Sequence, residues 1–155
     1  MGLFQIAHER KGVLLASFLV RNGVVREGME HLSNLWFQSA TPGSSWKFGL
    51  IDDDGFSGLD AQDTLGSHSG WSEISETRQD WEPKSDPTFI SHNYYQLETE
   101  TDSEAEWEFT SAHDIRGFFI TDETRLWATS EIAGDPLSVL SGDILKLTYL
   151  AQMKD

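Results

Sequence analysis

Apolar and polar residues alternate along much of this chain, and the alternation predicts β-strands. Trp46, Phe48 and Leu50 are separated by single residues, and residues 144–149 repeat the pattern near the end of the sequence. Successive side chains of a strand point to opposite faces of a sheet, so each apolar set shares one face. Similar short runs occur at residues 13–20, 71–74, 88–97, 107–110, 115–121 and 126–131.

One segment has a different period and predicts an α-helix over residues 25–37. Its apolar residues recur every three or four positions, which places them on one face of a helix. They are Val25, Met29, Leu32 and Trp36. Gly28 lies inside this helix and weakens it by about 1 kcal/mol relative to alanine. Packing against the rest of the protein must therefore stabilise the helix.

The number of strands and the turn signals between them predict the fold class. Seven or eight short strands with one helix in the N-terminal half are typical of a mainly β fold. We predict an antiparallel β-sandwich that residues 13–155 form as a single domain, with the helix covering one end or edge. The chain of 155 residues is long enough to bury a core without metals or disulfides.

The first 12 residues show little periodicity and are predicted to form an N-terminal arm. Such termini are poorly ordered unless a partner or a sheet holds them. Two apolar and two basic residues of the arm are candidates for binding a partner. They are Phe4, Ile6, Arg10 and Lys11. A fifth candidate is Trp81, because it is an aromatic residue in a charged loop.

Charge is distributed unevenly along the chain, whose formal net charge is −15. Residues 1–49 carry five basic and three acidic groups, residues 50–106 carry two and fifteen, and residues 107–155 carry four and eight. Such an acidic surface repels nucleic acid and anionic membranes, so we expect neither as a partner. The chain has no cysteine, which excludes disulfides, thiolate metal sites and cysteine catalysis.

Residues 63–73 hold the densest mixture of chemically active groups: carboxylates, hydroxyls, an imidazole and an indole. The glycine spacing is similar to the nucleophile elbow Gly-x-Ser-x-Gly, but the central residue is His68 and a strand is predicted to follow. A hydrolase triad of Asp63, His68 and a serine is the catalytic alternative. We expect instead a shaped loop, with Trp71 packed inside and His68 bonded to the backbone. The residues of this structural motif are Asp63, Thr64, Ser67, His68, Gly70, Trp71 and Glu73.

Three carboxylates around Gly55 are candidates for an adventitious cation site: Asp52, Asp54 and Asp60. An EF-hand calcium loop needs an acid at its first position and a glutamate at its last. Aligning Gly55 with the loop glycine places Leu50 and Ala61 at those positions. The five histidines show no metal-ligand spacing. The sequence therefore predicts an acidic turn and no cofactor.

Several short motifs follow one another along residues 20–150, and the most specific is Asp-Thr…Ser-His…Gly-Trp…Glu at residues 63–73. The others are Asn22, Glu27-Gly28-Met29, Leu32, Trp46, Gly49-Leu50-Ile51, Arg78, Trp81, Ile115, Gly117, Phe119, Leu126-Trp127 and Gly142-Asp143-x-Leu145-x-Leu147-Thr148-Tyr149. Together they resemble a group of small structural proteins of tailed bacteriophages and prophages. The resemblance carries no catalytic assignment. It implies a non-enzymatic protein that is made in the host cytoplasm and located in the virion.

The leading expectation from this resemblance is a capsid decoration (cement) protein. It would bind the major capsid protein, or other virion proteins, from outside the shell and form a homo-oligomer on the particle. Weak contacts per copy add up when many copies bind one shell. A tail or baseplate component is the first alternative. The second is a carbohydrate-binding module for host attachment, with Trp81 as a stacking residue.

Overall fold

The structure, a computed structural model, describes residues 2–37, 45–85, 88–91 and 94–154, which contain eleven strands and one helix. The helix is α1 (Arg26–Phe37). The strands are β1 (Gly2–Arg10), β2 (Val13–Val24), β3 (Trp46–Asp52), β4 (Gln79–Trp81), β5 (Thr88–Ser91), β6 (Tyr94–Glu98), β7 (Ala105–Glu108), β8 (His113–Thr121), β9 (Leu126–Glu131), β10 (Leu137–Val139) and β11 (Asp143–Lys154).

The strands pair in one curled antiparallel sheet. Its order is β4-β3-β8-β9-β2-β1-β11-β6-β5, with β10 attached to β8 and β7 attached to β11. The inward faces of its two halves meet in one large core. There the ring of Phe4 on β1 lies 6.0 Å from that of Phe48 on β3 and 5.7 Å from that of Phe118 on β8. The predicted class, a mainly β antiparallel sandwich with one helix in the N-terminal half, is therefore confirmed.

The described residues contain more strands than the seven or eight that the sequence predicts. The additional strands are β1 and the short β4 and β10, while residues 88–97 divide into β5 and β6. The strand predicted at residues 71–74 is reduced to one isolated bridge, between Ile51 and Glu73. Short strands of three residues carry too few alternations for a periodic pattern to detect.

Residues 2–10 form the strand β1 and not the expected N-terminal arm. β1 pairs with β11 from Gly2 to Arg10 and with β2 on its other side, so it lies well inside the sheet. Lys11 and Gly12 adopt left-handed backbone angles, with φ of 51° and 74°, and turn the chain into β2. Two such residues form the tight turn that matches the twist of a β-hairpin. A hairpin partner, rather than another protein, therefore orders this segment.

A buried carboxylate connects β1 to β11. Asp143 is fully buried; its oxygens lie 2.7 Å from His8 Nε2, accept bonds of 2.5 and 2.8 Å from the Arg10 guanidinium, and accept the N–H of Leu140 at 2.9 Å. The bond from Arg10 is the main cause that holds the pKa of Asp143 well below its usual range. Arg10, a candidate for partner binding, is thus engaged within the fold.

The helix α1 begins one residue later than predicted, and its apolar stripe is only partly buried. Val25, just before it, is buried, whereas Met29 is 52% exposed. His31 is buried instead, next to the turn between β8 and β9. The side chain of Trp36 lies outside the described residues. Within the described part of the chain, no helix has the length and apolar character that crossing a membrane requires.

Candidate functional site

The loop that contains residues 63–73 connects β3 to β4 and packs on the face of the sheet opposite the large core. Neighbouring residues of β8 show this division, because Phe118 lies in the large core and Phe119 lies under the loop. Phe119 belongs to a second, smaller core with Val25, Ile51, Trp71 and Leu126. The loop and the start of α1 together cover this second core.

Asp63 holds the indole of Trp71 in place. The Asp63 carboxylate is buried, and its Oδ2 accepts the Trp71 Nε1–H at 2.9 Å and the backbone N–H of Asp60 at 3.0 Å. The indole itself is only 5% exposed and packs 5.3 Å from the ring of Phe119. A buried indole N–H needs an acceptor, and Asp63 supplies it.

His68 covers the outer face of Trp71. Its ring stacks on the indole, with centroids 3.8 Å apart and planes inclined by 15°. Its Nδ1 lies 3.0 Å from the carbonyl oxygen of Trp71, to which it donates. The predictions that Trp71 packs inside and that His68 bonds to the loop backbone are confirmed, although His68 is half-buried rather than fully enclosed.

The other small residues of the motif shape the backbone. The N–H of Thr64 donates to the carbonyl of Ser67 at 3.0 Å, and the N–H of Ser67 donates back to Thr64 at 3.2 Å. Gly70 lies against Gly58, whose carbonyl oxygen a Cβ at position 70 would overlap. The carbonyl of Gly70 accepts the N–H of Ser57 at 2.8 Å. The first pair of bonds closes the turn at residues 64–67, and the contact of Gly70 with residues 57 and 58 holds two segments of the loop together.

Glu73 and Arg78 close the end of the loop. The guanidinium donates two parallel bonds to the carboxylate, Nε to Oε1 at 2.8 Å and Nη2 to Oε2 at 2.7 Å. The bond to Glu73 is the main cause that raises the pKa of Arg78. The guanidinium also lies over the ring of Phe119, 5.3 Å from its centroid. A bidentate pair of this kind fixes orientation as well as distance.

Glu27, at the start of α1, joins the helix to both the loop and the sheet. Its Oε2 accepts the N–H of Leu65 in the loop at 3.0 Å and the N–H of Leu126 on β9 at 2.6 Å. Gly28 lets the helix approach this closely, since a Cβ there would overlap the carbonyl oxygen of Trp127 on β9. The sequence shows Glu27-Gly28 as a motif but gives no sign of these two backbone partners.

These bonds leave the loop without the arrangement of a hydrolase. Asp63 accepts from Trp71 and from backbone, and His68 donates its Nδ1 proton to a carbonyl oxygen rather than to a carboxylate. A triad requires the acid to orient the histidine that activates the serine. The residues that the sequence brings forward as catalytic are instead committed to holding the loop.

A second serine and histidine pair lies at the surface, near the start of β8. Ser111 Oγ lies 2.9 Å from His113 Nε2, and Glu76 Oε1 lies 3.4 Å from the same nitrogen. In a catalytic triad the acid and the serine bind opposite nitrogens of the ring. Both oxygens here contact one nitrogen, so this cluster lacks triad geometry.

The three carboxylates predicted as a cation site serve separate turns. Asp52 Oδ1 accepts the N–H of Asp54 at 3.1 Å, and Asp60 Oδ1 accepts the N–H of Gln62 at 2.8 Å. Within the residues that the structure describes, no group of three or more His, Cys, Asp or Glu side chains could hold a metal ion. The structure thus does not bring Asp52, Asp54 and Asp60 together as ligands.

Four of the five residues predicted to bind a partner are engaged inside the protein. Phe4 and Ile6 are fully buried, and Arg10 is bonded to Asp143. Trp81 is 9% exposed and packs edge-on against Tyr149, with ring centroids 5.2 Å apart. It therefore offers no open ring face on which a sugar could stack. Lys11 remains exposed, at the turn between β1 and β2.

Among the described residues, most of the exposed large apolar side chains lie on β2, which the sequence predicts as a strand. Four large side chains within residues 13–19 are about half exposed or more: Val13 (61%), Leu14 (57%), Leu15 (49%) and Leu19 (61%). We call these four side chains the β2 patch. Apolar residues scattered singly over a surface are normal, but several on one strand form a candidate contact surface.

The strand that carries the β2 patch also has a free edge. On the side away from β1, β2 pairs with β9 only at Gly23 and Val24. Among the described residues, the edge from Val13 to Asn22 therefore has no neighbouring strand. The apolar run 13–20 was the available sequence signal, but it does not distinguish a covered strand from an uncovered one.

Comparison of the chain with family models, curated proteins and solved structures gives no match.

Proposed function

We propose that this chain is a non-enzymatic structural protein of a tailed-phage virion, a capsid decoration protein that binds the outside of the shell. The observation that carries the proposal is the β2 patch. It places four exposed apolar side chains on one strand of a chain whose net charge is −15. Several exposed large apolar side chains on one strand of a charged protein are typical of a contact with another protein.

The bonding of residues 63–73 supports a non-enzymatic role. Asp63, His68, Glu73 and Glu27 each bond to a partner within the loop, the helix or the sheet. Catalytic groups need a free face toward a substrate. Residues 63–73 are the most specific part of the resemblance to phage structural proteins. Their side chains thus serve to stabilise the fold.

The distribution of charge supports an oriented contact. Residues 1–24 carry three basic groups and one acidic group, a net of +2, so the remaining residues carry −17. The hairpin of β1 and β2 is therefore the mildly basic part of an acidic protein. Docking through this hairpin leaves the acidic remainder in solvent, where repulsion between neighbouring copies limits aggregation.

A binding experiment with shells that lack this protein tests the proposal. The purified chain is mixed with the shells and sedimented, and we expect it to appear with the shells in many copies per particle. Leu19→Lys should weaken binding, because it places a charge in the β2 patch. Leu140→Lys is the matched control, since Leu140 is 47% exposed but lies outside the patch.

The outcomes distinguish a protein of the shell from a protein of the tail. Absence of binding to shells would refute the proposal. Binding to tails alone, in far fewer copies, would instead identify the tail or baseplate component that is the alternative. Equal effects of Leu19→Lys and Leu140→Lys would show that the contact does not use the β2 patch.

A further inference from the structure

We infer that two copies of this chain pair through the free edge of β2, so that their sheets join about a two-fold axis. The inference rests on the proposed function only in using the same strand. The unpaired edge runs from Val13 to Asn22, and β9 leaves β2 after the pairs at Gly23 and Val24. An unpaired edge presents a row of N–H and C=O groups to which another strand can bond.

The edge of β2 has few of the features that keep strand edges apart. Natural proteins protect edges with charged residues, proline, bulges or short length. β2 has 12 residues, and from Val13 to Val20 it contains no charged residue and no proline. Its pairing with β1 shifts register once, next to His8, near the turn of the hairpin. The remaining edge, from Ala16 to Asn22, is regular and open.

There is room for an incoming strand beside this edge. A groove of about 560 Å³ lies along this edge, between residues 18–21 of β2 and residues 131–137 at and beyond the end of β9. Its lining includes the apolar Ile132 and Leu137 and the acidic Glu131 and Asp135. Phe18 and Leu137 are partly exposed and pack against the large core. Apolar side chains of an added strand would therefore extend the existing core rather than contact solvent.

Charge favours β2 as the place where a second copy of this chain pairs. The rest of the chain outside residues 1–24 has a net charge of −17, and contacts between two such acidic surfaces repel. Residues 13–20 of β2 carry no charged group. Two copies that meet strand to strand at β2 therefore bring together the least charged part of each chain.

Two-fold symmetry makes this strand complementary to itself. In a two-fold contact the same surface of each copy meets its counterpart. If the antiparallel pair is centred on residues 17–19, Arg21 of one copy lies opposite one of residues 13–17 of the other, all of which are uncharged. In this register residues 13–15 of the two copies lie towards opposite ends of the pair, and the two Leu19 side chains lie near its centre.

The size of the contact indicates moderate affinity. Nine paired residues extend about 30 Å along the strands. An edge contact of this length lies at the small end of specific interfaces, below about 1,200 Å² in total. We therefore expect a concentration-dependent dimer in solution, which neighbouring positions on a shell would strengthen by multivalency.

Single cysteines test the pairing directly, because the chain has none of its own. Directly opposed residues of an antiparallel pair have Cα atoms about 4.5–5.5 Å apart, a distance that a disulfide spans. Under mild oxidation we expect Ser17→Cys, Phe18→Cys or Leu19→Cys to give the highest yield of covalent dimer. Val13→Cys and Arg21→Cys should give low yields, and the exposed loop variant Ser69→Cys is the collision control.

The proposal is tested by how the yield of covalent dimer varies with the position of the cysteine along β2. A maximum within residues 17–19, clearly above that of Ser69→Cys, supports antiparallel pairing. A flat yield from 13 to 21, or yields no higher than the control, overturns it. Covalent linkage to a shell protein in place of a second copy would also overturn it, in favour of a different strand at this edge.

Sedimentation equilibrium of the unmodified chain gives an independent measurement. When the protein concentration is raised to about 100 μM, we expect a measurable fraction of dimer. The dissociation constant of the dimer should be about tenfold or more higher for Leu19→Lys than for Leu140→Lys. A chain that stays monomeric over this range contradicts the inference. The shell-binding experiment separates the two proposals, since a monomer that still decorates shells refutes only the pairing, and a dimer that ignores shells refutes only the decoration role.

Discussion

Replacing Gly28 with alanine should destabilise this protein, although the same change stabilises most helices. In an ordinary helix interior, alanine is favoured over glycine by about 1 kcal/mol. Here a Cβ at position 28 would overlap the carbonyl oxygen of Trp127 and lie 3.0 Å from its Cα and 3.1 Å from its carbonyl carbon. These are backbone atoms of β9, so no side-chain rotation can relieve the overlap.

The cost follows from what must move. The helix has to separate from β9, and the separation lengthens the bonds from Leu65 and Leu126 to the Glu27 carboxylate. Overpacking costs about 1–3 kcal/mol, and a hydrogen bond to a charged group contributes about 1.5–3 kcal/mol. The bonds are lengthened rather than broken, so only part of their contribution is lost, and after subtracting the helix gain of about 1 kcal/mol we expect a net loss of about 1–3 kcal/mol. For a domain of this size, each kcal/mol corresponds to about 2–4 °C in Tm.

Urea unfolding followed by tryptophan fluorescence measures this loss. The midpoint should fall while the slope of the transition stays the same, because the surface exposed on unfolding is unchanged. Gly23→Ala is the matched control, since a Cβ there meets no atom within 4 Å. That substitution should leave stability unchanged or raise it by up to about 1 kcal/mol, because glycine is unfavourable within a strand.

The sign of the change in unfolding free energy on Gly28→Ala tests whether the contact between α1 and β9 governs this position. If Gly28→Ala raises the unfolding free energy by about 1 kcal/mol, intrinsic helix propensity alone governs this position. The close approach of α1 to β9 would then be refuted. A similar loss in Gly23→Ala would also count against it, because the effect would not be specific to the helix contact.

Three further outcomes are expected. Asp63→Ala leaves the buried indole N–H of Trp71 without its acceptor and should lower the unfolding free energy by about 1–3 kcal/mol, in urea titrations with Ser69→Ala as an exposed control. Because the pKa of Asp143 is lowered in the folded state, its stabilisation is complete above the unfolded pKa of about 3.9 and is lost as the pH falls below it. Asp143→Asn should therefore be less stable at neutral pH, and its stability should decline less steeply under acid, which denaturation at a series of pH values would show. Burial raises the pKa of Tyr149 to about 12, so stability should fall as the pH rises from about 10 towards that value, and an absorbance titration of Tyr149→Phe should lack the late ionisation.

Strands with an uninterrupted apolar alternation could be predicted from the sequence, and β1 could not. Along β3 the inward positions Phe48 and Leu50 are both apolar, so the two-residue period is visible. The corresponding positions of β1 are Phe4, Ile6 and His8, and the histidine breaks the pattern. His8 is buried because Asp143, 135 positions further along the chain, accepts its bond. No local pattern contains that partner.

The loop shows a similar limit. The positions of Trp71 and His68 could be predicted, because a tryptophan directly after Gly70 and a histidine between Gly66 and Gly70 have few stable placements. The role of Glu27 could not, since its partners are backbone N–H groups that only the tertiary fold brings to it. The β2 patch was hidden for a third reason. An apolar run predicts burial, and whether a neighbouring strand covers it depends on where β9 departs from β2.

The position of β1 between β2 and β11 has a consequence for how the protein folds. β1 is synthesised before β11, and its pairing with β11 joins residues that are more than 130 positions apart, as in the contact of His8 with Asp143. Contacts of such long sequence separation form slowly, because closing the intervening loop costs entropy before the contact stabilises it. Translation proceeds at about 5–20 residues per second. The large core therefore stays open on the β11 side of β1 for several seconds on the ribosome, and this part of the sheet forms only after β11 has been made.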